Sequence, residues 1–477
     1  MDSTVDTIIQ DDNVKSLFDI PGPKPKFILG NITEFSMATI HKYVAKVAQE
    51  YGSISLIKIG PKPFVIISNP DTLRTILKQR PDKFSRISTV ETVFESMDLL
   101  GLFSSEGDAW RRQRQLVMPG FKPALVKAFY PTMIETSNKL SGVISSSLSD
   151  ENVNIPFDIQ LLFKKFTTDI TTKLAFGGDF DCLQADDTEL QTCLKEIMPM
   201  INSRLKSPFP LWRYIKLPKD YAVDRAIKTV KRHLKDFIES AKVNLVAEAE
   251  PRNILESMIL ASDDKGNGFT EDELFGNAMT LILAGEDTTS NTLAWAVHYL
   301  AKDLALQEEV YQEIKRNLSG DVPTWEELDK FPLTYACLQE AMRIKPVVPF
   351  MSAEALQDTV IEGYTVPKGT PLMLLINYEG HNEETFPNPD KFDPKRWLEL
   401  PQDKIKSNEK ASMPFGGGAR ICPGRALSII EMKAALITVI SEFKFTHHNG
   451  VSTTQESVEF TLVPKNLKVN VYRRALK

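Results

Sequence analysis

What the 477-residue sequence has little of narrows it first. It has four cysteines, Cys182, Cys193, Cys337 and Cys422, and no two stand in a C-x-x-C spacing. That is too few for a disulfide framework and the wrong spacing for a zinc ribbon or a dithiol pair, so a reducing compartment fits best. The six histidines form no H-E-x-x-H pair, and His447 and His448 fall in a polar stretch where exposure is expected. No run approaches the roughly 18 uninterrupted apolar residues of a membrane span. Residues 1–16 are acidic (Asp2, Asp6, Asp11, Asp12) and lack the basic start and apolar middle of a signal peptide. The sequence thus shows no N-terminal transmembrane anchor, and a cytoplasmic or peripherally membrane-associated protein is expected. A basic excess is missing too: the net charge of −6 and pI near 5.7 give no nucleic-acid signature.

What is present points to one large core, since 42% hydrophobic and 25% charged residues are ordinary for a globular chain. The chain converges on one stretch, Pro414-Phe415-Gly416-Gly417-Gly418-Ala419-Arg420-Ile421-Cys422-Pro423-Gly424. Three glycines let the backbone turn tightly and approach something bulky. Pro423 suits the first position of a helix, and Arg425 to Phe443 is rich in helix formers. Cys422 is therefore expected at a helix N-terminus, where the dipole stabilises the thiolate a metal needs. A glycine-rich turn with a buried structural cysteine is the plain alternative.

A second stretch breaks local rules. Thr270-Glu271-Asp272-Glu273 has the form of a capping box and opens a helix with no proline before Pro323 and a helical pattern to about Ala301. Its middle reads Ala284-Gly285-Glu286-Asp287-Thr288-Thr289. Glycine and paired threonines are poor helix formers, and acids in an apolar run pay for desolvation. Such breaks mark a functional site or, alternatively, a kink. Elsewhere, Trp110 and Arg114 share a helical face, as do Glu340 and Arg343, and Pro389 to Trp397 carries Arg396. Each of these alone is as easily a solvated helix face.

The remaining pattern is coarse. Residues 1–20 read as a mobile tail, followed by an extended Pro21-Gly22-Pro23-Lys24-Pro25 segment. Ser36 to Tyr51 is helical, Ile54–Ile59 and Phe64–Ser68 form a hairpin, and Ser88 to Asp108 is an irregular apolar loop. Pro131 to Ser262 is mostly helical, with breaks at Pro156, Gly177-Gly178 and Ser207-Pro208-Phe209-Pro210.

Taken together, F-x-x-G-x-R-x-C-x-G at Phe415 to Gly424, A-G-x-D-T-T at Ala284 to Thr289, E-x-x-R at Glu340 and Arg343, the Arg396 segment and W-x-x-x-R at Trp110 and Arg114 resemble the cytochrome P450 superfamily in order and approximate spacing. The resemblance spans 21–473 and implies a mainly α fold with a small β lobe: one haem domain over 21–477, with haem b between the long central helix and the cysteine loop. It implies Cys422 as axial ligand of the iron and Phe415 beside the sulfur. Trp110, Arg114 and Arg420 would serve the propionates, and Ala284 and Gly285 would leave room for dioxygen. Asp287 and Thr288 would deliver protons, while Glu340, Arg343 and Arg396 would be structural. Val347, Val348, Phe350 and Phe460 would line an apolar substrate pocket, and Ile197 to Leu217 would form a mobile lid able to touch a membrane surface.

The implied activity is insertion of one oxygen atom from O2 into an apolar organic substrate, with electrons from a separate NADPH-dependent flavoprotein reductase or ferredoxin. Its docking surface would include Arg112 and Arg425. One position departs from the family: Ala353 stands five residues before Asp358, where many members have a propionate-binding arginine. A peroxide-using or isomerising enzyme of the same fold, and a non-catalytic haem sensor, are the alternatives; a haem-free helical interaction protein is the blandest.

Overall fold

The computed structural model describes residues 14–148, 156–178, 180–185, 188–207, 210–245, 250–450 and 452–474. Within it the chain forms two compact units, one of residues 1–88, 348–387 and 408–422, the other of residues 89–347, 388–407 and 423–477.

The first unit is built on period-2 alternation. Its five-stranded sheet has the order Ile54–Ile59, Lys62–Ile67, Pro371–Leu374, Met351–Ala355, Phe84–Ser85. Pairing is antiparallel except between Lys62–Ile67 and Pro371–Leu374. One face presents Leu56, Val65, Ile67, Leu372 and Leu374, against which Leu73, Ile76 and Leu77 of the helix Pro70–Lys78 pack. The other presents Ile57, Ile66 and Met373 to Ile40, Val44, Val47 and Ala48 of the helix Ile40–Tyr51. Neighbouring residues of a strand point to opposite faces, so the sheet is sandwiched by two apolar helix stripes. Within the expected tail, Leu17 and Ile20 are buried in this core, and the Lys15 amide donates to Gly363 O at 3.0 Å. Residues 1–13 lie outside the described residues.

The second unit is helical around Glu271–Lys302, 32 residues opened by the expected capping box: Glu273 N donates to Thr270 Oγ1 at 3.2 Å and Thr270 N to Glu273 Oε2 at 2.9 Å. At 1.5 Å per residue it is about 48 Å long. The helix Ile159–Phe176 runs along it and ends at Gly177, whose φ of 73° gives a left-handed cap. The helix Arg425–Glu442 packs against Pro123–Ser147. A three-stranded sheet of Phe157–Asp158, Lys468–Arg473 and Phe443–His447, and the hairpin Gln455–Val458/Leu462–Lys465, complete the unit.

Two local expectations are corrected. Ser88–Glu95 is a helix rather than the start of an irregular loop, burying Val90, Val93 and Phe94 on one face. The expected polar, exposed His447-His448 pair is split. His447 is buried at the end of a strand, while His448 bonds Asn470. The break at Pro208-Phe209 lies outside the described residues.

Candidate active site

The cysteine loop belongs to the first unit. Gly416 and Gly418 have φ of 71° and 68°, the left-handed region that glycine tolerates best. At Gly418 shape also matters, because a Cβ there would stand 2.0 Å from the carbonyl oxygen of Leu77. At Gly418 the loop backbone thus lies against the end of the helix Pro70–Lys78. The loop closes through Gly416 N to Met413 O at 2.9 Å and Cys422 N to Phe415 O at 3.1 Å. Cys422 is exposed, whereas Cys182, Cys193 and Cys337 are buried. The following helix starts at Arg425 with Gly424 as its cap. Cys422 therefore lies two residues ahead of the cap, and Pro423 precedes the helix instead of opening it. Arg420 sits in a short 3-10 turn, Gly418–Arg420, directly before it.

In the second unit, Ala284 is exposed and Thr288 partly so, one turn apart on a helix that is otherwise largely buried here. The Thr288 hydroxyl donates to Ala284 O at 2.6 Å. Gly285 points elsewhere: a Cβ would meet Thr171 Oγ1 at 2.5 Å, so its missing side chain admits the helix Ile159–Phe176. The two acids share one cation. Lys164 Nζ lies 3.1 Å from Glu286 Oε1 and 3.1 Å from Asp287 Oδ1. Burial pushes the Glu286 carboxyl upward, against the pull of Lys164. Burial opposes the Lys164 charge, but the two acids outweigh it and its pKa rises.

Glu340 and Arg343 are fully buried in the helix Pro332–Ile344. Glu340 accepts five hydrogen bonds: Arg343 Nε at 2.9 Å and Nη2 at 2.8 Å, Arg396 Nε at 2.9 Å, Trp397 Nε1 at 2.9 Å and the Asp393 amide at 3.0 Å. Arg343 Nη2 also donates to Pro389 O at 2.7 Å. A buried carboxylate is tolerable only when satisfied in this way.

The sequence profile of the cytochrome P450 family matches residues 20–471. The chain belongs to the cytochrome P450 family. Similar proteins include cytochrome P450 27C1 of Danio rerio, 27% identical over 90% of this chain and 82% of that one. A probable cytochrome P450 508D1 of Dictyostelium discoideum is 28% identical over 96% and 94%. The protein LUTEIN DEFICIENT 5, chloroplastic, of Arabidopsis thaliana is 25% identical over 89% and 72%. As a cytochrome P450 the chain is a haem- and iron-binding oxidoreductase of the monooxygenase class. Its residues fit that cofactor: of the four thiols only the one in the glycine-built loop is accessible.

The other site residues of this cytochrome P450 are placed as follows. Trp110 is buried and Arg114 half-buried, one turn apart on the helix Gly107–Val117. Arg112, expected at a docking surface, is instead held by Asp263 at 3.0 Å and Glu273 at 2.7 Å, so two acids already balance its charge. Arg425 is exposed. Ala353 is fully buried in the core of the first unit, opposite Leu372. Val348 and Phe350 pack against two different apolar clusters of the first unit. In the second unit, Val347 O accepts from Leu462 N at 2.9 Å, and Phe460 forms an aromatic row with Phe103 and Phe94 at centroid distances of 5.9 and 5.5 Å. Phe94, Lys164 and the role of the Trp397 indole were missed in the sequence. For Lys164 a signal existed: Gln160, Lys164, Thr167 and Thr171 form a polar stripe at helical spacing.

Proposed function

We propose that the protein inserts one oxygen atom from O2 into an apolar organic substrate, using haem b held by the thiolate of Cys422 and electrons from a separate donor, an NADPH-dependent flavoprotein reductase or a ferredoxin. The observation that carries this is the exposed Cys422 thiol in a loop closed by its own amide onto Phe415. Haem ligated by cysteine supplies dioxygen chemistry in which the sulfur's electron density favours O–O cleavage.

The chain's residues do the rest. The aromatic ring of Phe415 shields the sulfur, and Trp110, Arg114 and Arg420 supply N–H donors for the two propionates. With Ala353 uncharged, Arg114 and Arg420 carry more of that anchorage than in relatives with an arginine there. Thr288 turns about its Cα–Cβ bond, releasing Ala284 O, and offers its hydroxyl to the oxygen that leaves as water. Asp287, one residue before it, passes the protons. Ala284 keeps that turn free of bulk. Glu340, Arg343 and Arg396 are structural and brace the segment 389–397. Val347, Val348, Phe350 and Phe460 present apolar surface to the substrate.

Peripheral membrane contact is part of the proposal. Among the described residues no helix is long and apolar enough to cross a membrane. Each unit nevertheless exposes contiguous apolar side chains: Phe27, Ile28 and Leu29 in the first, Leu211, Tyr214, Ile215 and Leu217 in the second. Sedimentation with anionic phospholipid vesicles is expected for the wild type and reduced by F27E/I28E; equal sedimentation of both would exclude the first of these patches.

The deciding experiment is the carbon-monoxide difference spectrum of the reduced, haem-reconstituted protein. The wild type should show the thiolate-type Soret shift and Cys422→Ser should lose it. A wild-type protein without that shift sinks the proposal. Candidate substrates can then be ranked by the spin-state change they produce in the ferric protein.

A further inference from the structure

One helix face organises the acids of the central helix. Gln160, Lys164, Thr167 and Thr171 recur at helical spacing along Ile159–Phe176, and each meets the region 285–291 of the central helix. Gln160 Nε2 donates to Asn291 Oδ1 at 3.0 Å, and Asn291 Nδ2 donates on to Thr461 Oγ1 at 2.9 Å. Thr167 Oγ1 donates to Glu286 O at 2.8 Å. Thr171 Oγ1 lies where a side chain on Gly285 would be. Lys164 sits inside this ladder, 3.1 Å from both Glu286 and Asp287.

The two carboxylates are not equivalent. Glu286 is 6% exposed and its Oε2 has no hydrogen-bond partner among the described residues. The Asp287 side chain is 14% exposed. A lysine ammonium has three N–H donors, so one cation can serve both acids at once, but its attraction is divided between them. Whatever charge Glu286 carries decides how much of that attraction is left for Asp287.

We propose that Lys164 is a positioning residue for proton delivery, tethering Asp287 with a charge that it shares with Glu286, so that Glu286 sets the strength of the tether. This rests on Asp287 being the proton-passing acid. Neutralising Glu286 concentrates Lys164 on Asp287 and slows its departure toward Thr288. Neutralising Lys164 leaves two adjacent acids without a counter-charge, and one of them takes up a proton at neutral pH.

The test uses the full chain loaded with haem, in wild type, K164M, K164R, E286Q and K164M/D287N. Infrared difference spectra against wild type should show an additional protonated carboxyl band at neutral pH in K164M, one that is absent from K164R and shrinks in K164M/D287N. The second readout is the rate at which the chemically reduced protein is reoxidised by dioxygen in light and heavy water. E286Q should slow reoxidation and change its solvent isotope effect by at least twofold, and K164R should stay within about twofold of wild type. If K164M folds and binds haem but changes neither the band nor the isotope effect, the ion pair only joins two helices and the proposal fails. If K164M does not fold, E286Q decides: unchanged reoxidation overturns the proposal. A wild-type protein lacking the thiolate-type carbon-monoxide spectrum would instead overturn the haem assignment itself.

Discussion

At the scale of single residues, hydrogen bonding rather than charge count separates the members of the Glu340 cluster. Two guanidiniums face one carboxylate there, and the Trp397 indole and the Asp393 amide complete its acceptor capacity. Trp397→Phe keeps the apolar packing but leaves Glu340 Oε2 one donor short. A hydrogen bond to a charged group is worth about 1.5–3 kcal/mol, so denaturant unfolding should show a loss of that size. A loss below about 0.5 kcal/mol would mean that the indole only fills space. The arginine pair was legible only through the family resemblance, because E-x-x-R by itself reads as any solvated helix face. Trp397 was not, since a tryptophan in sequence looks the same whether its N–H is used or not. Lys164 had a weak signal in its polar stripe with Gln160, Thr167 and Thr171, but that stripe does not say what it faces, and only the packing against the central helix brings Lys164 to the two acids.

Between elements, Thr171 fills the space that a side chain on Gly285 would need. The sequence showed that something unusual happens at Gly285, and resemblance assigned it to space for dioxygen; the structure gives the space to a neighbouring helix. Gly285→Ala would place Cβ 2.5 Å from Thr171 Oγ1, 3.0 Å from its Cγ2 and 3.4 Å from its Cβ. Overpacking of this kind costs about 1–3 kcal/mol. Removing the γ atoms relieves it, because the remaining 3.4 Å contact is ordinary. Thr171→Ala combined with Gly285→Ala should therefore be more stable than Gly285→Ala alone, measured by thermal unfolding. Equal melting temperatures would mean that the two helices slide apart without cost. Long elements were read well from the sequence, the central helix above all, because its capping box and missing prolines are local signals. Ser88–Glu95 was not, because eight residues give barely two turns of periodicity.

Across the second unit as a whole, buried titratable groups shape the dependence of stability on pH. His298 of the central helix lies against His447, ring centroids 4.9 Å apart, and His447 Nε2 lies 3.1 Å from His298 O. The His-His dipeptide suggested a surface; instead, alternation in the strand Phe443–His447 turns His447 inward. Burial, with the nearby His447, Lys302 and Lys345, lowers the His298 pKa to about 3. An unfolded chain protonates this histidine below about 6.5 while the native one does not, so stability falls as the pH drops through the window from about 6.5 to about 3. Glu431, on the helix Arg425–Glu442, works in the opposite direction. It is 4% exposed, its Oε1 has no hydrogen-bond partner among the described residues, and burial pushes its pKa well above 4.5. The native carboxyl keeps its proton where the unfolded one loses it, so stability falls as the pH rises above about 4.5. Each group contributes a limiting slope of about 1.4 kcal/mol per pH unit, and above about pH 4.5 the two act in opposite directions. Glu431→Gln has no proton to lose, so above about pH 4.5 its denaturant midpoint should decline less steeply with pH than that of the wild type. His298→Gln should flatten the acid side below pH 4.5, where Glu431 no longer contributes. Parallel profiles for wild type and Glu431→Gln would show that Glu431 is ionised in the native protein, with a partner drawn to it in solution.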